Sequence, residues 1–176
     1  MKTESIQIEQ ANEGQAVLVT ELARKTFMET YGETSNQENL QLYIAAHFTE
    51  EQIARELSDP VFRFYIAWIN NSVAGFVKIR KDRQPKGIVG KNCLEIQRIY
   101  VLQEYQGFSI GKELMKLVKN IAKEEGDQVI WLQVWQQNEK AIQFYRKSGF
   151  VVYETHTFDF GKEIHQDFLL RFDLYN

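Results

Sequence analysis

An apolar strand pattern, Leu94-Glu95-Ile96-Gln97-Arg98-Ile99-Tyr100-Val101, runs through a short link into Gln106-Gly107-Phe108-Ser109-Ile110-Gly111, where the apolar spacing turns helical. This junction constrains the chain more than any other stretch. The first amides of a helix have no intrahelical acceptor, so a small-residue turn that opens one is an anion cradle without a charged side chain. The junction therefore predicts a strand packed beneath a helix, with a phosphorylated ligand held where they meet.

The helix after the junction places Ile110, Leu114, Leu117, Val118 and Ile121 on one face and Lys112, Glu113, Lys116 and Lys119 on the other. Gly126 ends it before a strand over 129–135. Upstream, Ile6 and Ile8 alternate as in a short strand, and Val17, Leu18, Leu22, Phe27 and Tyr31 follow helical spacing that Gly32 closes. Ser35 with Glu38, and Thr49 with Gln52, match the capping-box spacing and predict two short helices ending before Asp59-Pro60. Apolar runs at 62–69 and 73–79 flank Asn70-Asn71-Ser72 and read as a hairpin. A polar loop from Lys81 to Lys91 leads into the 94–101 strand, whose alternation puts Glu95 and Gln97 on one face. Asn138 is the N-cap of a last helix through Arg146, Gly149 takes its left-handed end, and 151–160 and 168–174 form two strands about Gly161. The order predicts an α/β or α+β fold, a mixed sheet of six to seven strands with helices on both faces. At 176 residues, a single domain is expected over 1–176.

A net charge of -3 with no Lys/Arg stripe argues against nucleic acid as a partner. The lone Cys93 can form no internal disulfide and reads as a small strand residue. His47, His156 and His165 are too scattered to form a metal set, so no metal is expected. Met1 to Ile8 alternates without an apolar signal core, and no run approaches the ~18 apolar residues of a membrane span. A cytoplasmic location follows as the expectation.

A second motif stands downstream of the cradle: Asn138, Ala141, Phe144, Tyr145, Gly149 and Phe150, spaced as Asn-x-x-Ala-x-x-Phe-Tyr-x-x-x-Gly-Phe. Together with Gln106, Gly107 and Gly111, it resembles the two ordered signatures of the GNAT superfamily of N-acetyltransferases. That resemblance implies a mostly antiparallel central sheet and acetyl-CoA as cosubstrate. It places the diphosphate on the amides from Gln106 to Lys112, that is on Gln106, Gly107, Phe108, Ser109, Ile110, Gly111 and Lys112. Ser109 stands where the pattern usually has glycine. The resemblance further implies backbone contacts to the pantetheine arm around Ile99, Tyr100 and Val101, and cofactor contacts from Asn138 and Lys147. It gives Tyr145 the role of the acid that protonates the departing thiolate.

A primary amine has a pKa near 10.4, so at pH 7 only about a few molecules in ten thousand are neutral and able to attack a thioester. A route for the proton is needed, and Glu95, on the strand before the cradle, is the candidate base, directly or through water. Gln97 has no basic group for the task. The segments from Thr26-Phe27 through Glu38-Asn39-Leu40, Leu94–Val101 and Ile130-Trp131-Leu132-Gln133-Val134-Trp135 are similar to the bacterial PaiA-type spermidine/spermine acetyltransferases, although Gln97 replaces an expected glutamate. This branch implies a polyamine acceptor, for which Glu29, Glu33 and Glu38 with Tyr31 and Tyr43 are candidate contacts. Two other readings stay open: an acetyltransferase for another amine, such as a protein lysine, an N-terminus or an antibiotic, and a noncatalytic acyl-CoA-binding sensor. The oligomeric expectation is a monomer or a homodimer, since a closing hairpin can finish a sheet or pair with a second copy.

Overall fold

The computed structural model describes residues 5–175, so the alternation over Met1 to Glu4 lies outside the described residues. Seven strands form one sheet: β1 (Ile6–Gln10), β2 (Phe62–Ile69), β3 (Ser72–Arg80), β4 (Cys93–Val101), β5 (Val129–Trp135), β6 (Val151–Phe160) and β7 (Glu163–Asp173). Their spatial order is β1-β2-β3-β4-β5-β7-β6. Every neighbouring pair is antiparallel except β4 and β5. A parallel pair needs a crossover, and the helix opened by the cradle supplies it.

Five helices cover the sheet: α1 (Ala16–Tyr31), α2 (Gln37–His47), α3 (Glu50–Ser58), α4 (Ile110–Glu124) and α5 (Glu139–Lys147). On one face Leu114, Val118 and Ala122 of α4 and Ile142 of α5 pack against Val77, Leu94, Ile96 and Ile130. On the other, Val19, Leu22 and Phe27 of α1, Leu40 of α2 and Ile53 of α3 pack against Phe64, Ile66 and Phe76. Helices on both faces of a mostly antiparallel mixed sheet is the architecture read from the sequence. Cys93 opens β4 as a buried residue, within a smaller cluster that includes Val129 and Trp131.

Three local expectations are corrected. The N-cap of α2 is Asn36, not Ser35: the Asn36 side-chain oxygen accepts from the amides of Glu38 at 2.9 Å and Asn39 at 3.2 Å. A short amide side chain serves that role as well as a hydroxyl does. Thr49 Oγ1 caps α3 by accepting from the Gln52 amide, but the Gln52 side chain turns to Glu56, so only half of a capping box forms. The last strand begins at Glu163 rather than 168, because Gly161-Lys162 makes a tight turn and Phe160 pairs directly with Glu163.

An irregularity in β4 bears on the site. The β3–β4 register runs Lys78 to Arg98 and then Ile79 to Ile96, so Gln97 is an extra residue bulged out of the ladder. A bulge resets alternation. Leu94 and Ile96 before it, and Ile99 and Val101 after it, all face the α4 side. Glu95 therefore shares its face with Arg98 and Tyr100, which strict alternation would set opposite it.

Candidate active site

β4 and β5 are paired from Cys93 and Val129 only as far as Ile96 and Leu132. Beyond that point β4 stays with β3 through Val101, while β5 stays with β7 through Trp135. The two strands splay just past the Gln97 bulge, and the β4 edge from Gln97 to Val101 is left without a strand partner. Into this split opens a cavity of about 590 Å³.

At one end lies the cradle. Gly107 has φ +93° and Ser109, the N-cap of α4, has φ +64°. Serine pays about 1–2 kcal/mol for that left-handed backbone, and its side chain makes no capping hydrogen bond in return. Among the described residues the amides of Gly107, Ser109, Ile110 and Gly111 have no internal acceptor, whereas those of Gln106, Phe108 and Lys112 donate to Gln103, Tyr105 and Ser109. Four free amides around a helix N-terminus fit a diphosphate. A Cβ on Gly111 would stand 3.3 Å from the Phe144 ring, so the glycine lets α5 close against the first turn of α4.

Of the residues expected at the site, Glu95, Ile99, Tyr100, Val101, Gln106, Gly107, Ser109, Ile110, Gly111, Lys112, Asn138 and Tyr145 all line this cavity. Phe108 is exposed beside it, and Lys147 is exposed at the end of α5, away from its wall. Asn138 caps α5, its oxygen accepting from the Ala141 amide at 3.1 Å. Tyr145 is buried, and burial pushes its phenol above the ordinary range. Tyr31, whose phenol is likewise pushed up by burial, lies beside it.

Glu95 is 3% exposed. Burial raises its pKa and the nearby guanidinium groups oppose that shift: Arg83 Nη1 lies 3.4 Å from Oε1 and Arg80 Nε 3.8 Å from Oε2. The other end of the cavity is aromatic. Phe27 and Tyr43 stack at 4.9 Å, Trp135 and His165 at 4.8 Å, and Phe160 closes on His165 at 5.0 Å. Of the polar groups expected there, Tyr31 and Tyr43 line the wall and Glu29, Glu33 and Glu38 do not. Glu29 accepts from the Gln103 amide, and Glu38 pairs with Lys162.

Sequence reasoning missed one acidic residue of the cavity, Asp167. It is 6% exposed, and Gln133 Nε2 donates to its Oδ2 at 2.8 Å. No local signal marks it. Asp167 reaches the site because the β5–β7 register sets it opposite Trp135, and a last strand begun at 168 leaves it out.

Residues 18–150 match the model of the Acetyltransferase (GNAT) family. The chain belongs to this family. An N-acetyltransferase of the pepI 3′ region of Lactobacillus delbrueckii subsp. lactis is 31% identical over 85% of this chain and 87% of its own length. A spermidine N(1)-acetyltransferase of Thermoplasma acidophilum is 27% identical over 90% of this chain and 96% of its own. Among solved structures, the PaiA N-acetyltransferase of Thermoplasma acidophilum in complex with coenzyme A superposes with a TM-score of 0.78 at 25% identity, covering 96% of this chain and 99% of that one. The GNAT chain is an acetyl-CoA-dependent acetyltransferase. No helix among the described residues is long and apolar enough to cross a membrane.

Proposed function

We propose that the enzyme transfers the acetyl group of acetyl-CoA to a primary amine of a polyamine such as spermidine or spermine, by direct attack of the amine on the thioester. The observation that carries this reading is the split between β4 and β5. It joins a cradle of free helix-start amides at one end to an aromatic, acid-bearing chamber at the other. The likeness to a spermidine acetyltransferase over most of the chain supports the choice of acceptor.

In this reading Gly107, Ser109, Ile110 and Gly111 hold the diphosphate, with Gln106, Phe108 and Lys112 shaping the turn around it. The unpaired β4 edge at Ile99, Tyr100 and Val101 lies along the pantetheine arm, and a free amide there polarises the thioester carbonyl as an oxyanion hole does. Asn138 borders the arm from the α5 side, and Lys147 is a solvent-side partner for a CoA phosphate. Aromatic faces hold an aliphatic cation, as Phe27, Tyr43 and Trp135 would here.

The amine arrives as an ammonium and must lose a proton to a carboxylate of the cavity wall. Among the described residues, Glu95 and Asp167 are the carboxylates in that wall. Tyr145, a phenol protonated at neutral pH and pushed further up by its burial, stands ready to protonate the departing sulfur. Release of CoA thiol, followed across spermidine, spermine, a lysine peptide and an aminoglycoside, tests the proposal. Turnover is expected with the polyamines. Turnover with the peptide alone overturns the polyamine assignment, and tight CoA binding without turnover of any amine overturns the direct-attack reading.

A further inference from the structure

Asp167 and Glu95 share one cavity in opposite electrostatic settings. Glu95 faces two guanidinium groups, those of Arg83 and Arg80, so its charge is already met and an approaching ammonium would also approach Arg83. Among the described residues no Lys or Arg pairs with Asp167. Gln133 on β5 fixes one of its oxygens, and the other, Oδ1, is buried with no hydrogen-bond partner. The ionisable groups that face it are His156 on β6, His165 on β7 and Tyr31 on α1. Asp167 lines the ligand cavity, and a buried carboxylate held through one oxygen with the other unpartnered lacks what a substrate cation would bring.

We propose that Asp167, held by Gln133, is the group that receives the acceptor ammonium on Oδ1 and takes its proton before attack. This rests on the amine-acetyltransferase reading above and assigns within it a base that differs from the one expected from sequence. The ammonium transfers one proton to Asp167 Oδ1, which later releases it to solvent. The neutral nitrogen then forms a C–N bond to the thioester carbonyl carbon. As the C–S bond breaks, sulfur keeps the electron pair and takes a proton from the Tyr145 phenol, which recovers one from the acylated nitrogen. Atoms and charge balance to acetylamide, CoA thiol and one released proton.

Burial holds the Asp167 carboxyl above its ordinary value, with the Gln133 hydrogen bond and the two histidines opposing it, which narrows the gap to an amine. Two variants test the assignment, with spermidine as acceptor. In wild type, kcat/KM should rise through the carboxyl's titration and then level, because the reactive pair is carboxylate with ammonium. Asp167→Asn must instead use the scarce free amine. Its kcat/KM at pH 7 is expected to fall about 10²-fold or more, and the deficit should shrink steadily as pH rises toward the amine's own pKa near 10.4. Acetyl-CoA affinity should not change.

A deficit of the same size at pH 7 and pH 9.5 overturns the proposal, as does an unchanged rate or an equal loss of acetyl-CoA affinity. Gln133→Leu keeps the carboxylate but removes the bond that lowers its pKa, so the acidic limb should move to higher pH. An unmoved limb overturns the proposal even where Asp167→Asn fails to fold. Absence of turnover by wild type with every amine overturns the parent reading and this one together, whereas a pH-independent deficit overturns this one alone.

Discussion

Ser109 holds the left-handed backbone that a glycine would hold without strain, and in doing so keeps its own amide and those of Ile110 and Gly111 free. A hydroxymethyl side chain tolerates φ +64°, but a β-branched one does not. Ser109→Val is expected to weaken acetyl-CoA binding about tenfold or more and to lower the melting temperature, read by titration calorimetry and thermal unfolding; unchanged affinity would remove the cradle from the cofactor site. Tyr145 makes the complementary case. Tyr145→Phe preserves the buried ring and removes only the proton donor, so turnover should fall about 10²-fold or more while acetyl-CoA affinity holds. A rapid-quench time course separates the two, and undiminished turnover would exclude the phenol from the reaction. Both residues were legible in the sequence because each sits in a local motif whose spacing survives folding. Asp167 was not, because its place in the cavity comes from pairing with residues thirty and more positions away.

Elements were legible where periodicity alone decides them, as in α4, whose apolar face reappears as core from Ile110 to Ile121. They were misread where a single residue resets a pattern. The Gln97 bulge puts Glu95 on the face of Arg98 and Tyr100, which strict alternation would set opposite it, and the Asn36 side chain displaced Ser35 as cap. A third feature is invisible until elements meet. Glu125 follows the last turn of α4, where its charge opposes the helix dipole, yet Arg63 of β2 and Lys81 beyond β3 both pair with it, at 3.0 Å and 2.6 Å. The hydrogen bond from Arg63, aided by Lys81, draws its pKa from 4.5 to about 2. A carboxylate whose folded pKa is depressed adds stability above the unfolded value and loses it as pH falls through the folded one. Glu125→Gln should therefore be less stable than wild type at pH 6, and the difference should close between pH 4.5 and about 2. Urea midpoints at a series of pH values check this, and a difference constant with pH would show that the ties between α4 and the sheet do not depend on that charge.

At the scale of the molecule the cavity divides by where its walls come from. The cradle and the open strand edge belong to β4, α4 and α5, a contiguous stretch of sequence apart from β5, and this half was readable because its motifs are consecutive. The aromatic end is built from α1, α2, Trp135 of β5 and the β6–β7 hairpin, with more than a hundred residues between the two helices and the hairpin, and only their docking defines it. The hairpin tip rests on α2: the Asn39 side-chain oxygen accepts from the Lys162 amide at 2.9 Å, and Gly161 lies so close that a Cβ there would stand 2.5 Å from that same oxygen. Phe158 and Phe160 of the hairpin then meet Tyr43 of α2 at 6.0 Å and 5.4 Å, closing the aromatic wall. Removing the Asn39 side chain deletes one hydrogen bond, worth about 1 kcal/mol, without touching the cradle. Asn39→Ala is thus expected to raise the amine KM about fivefold while leaving acetyl-CoA affinity unchanged, because the two ends of the cavity rest on different supports. Steady-state kinetics with spermidine varied at saturating acetyl-CoA, then the reverse, make the comparison. Equal increases in both constants would mean that the hairpin supports the whole cleft rather than its acceptor half.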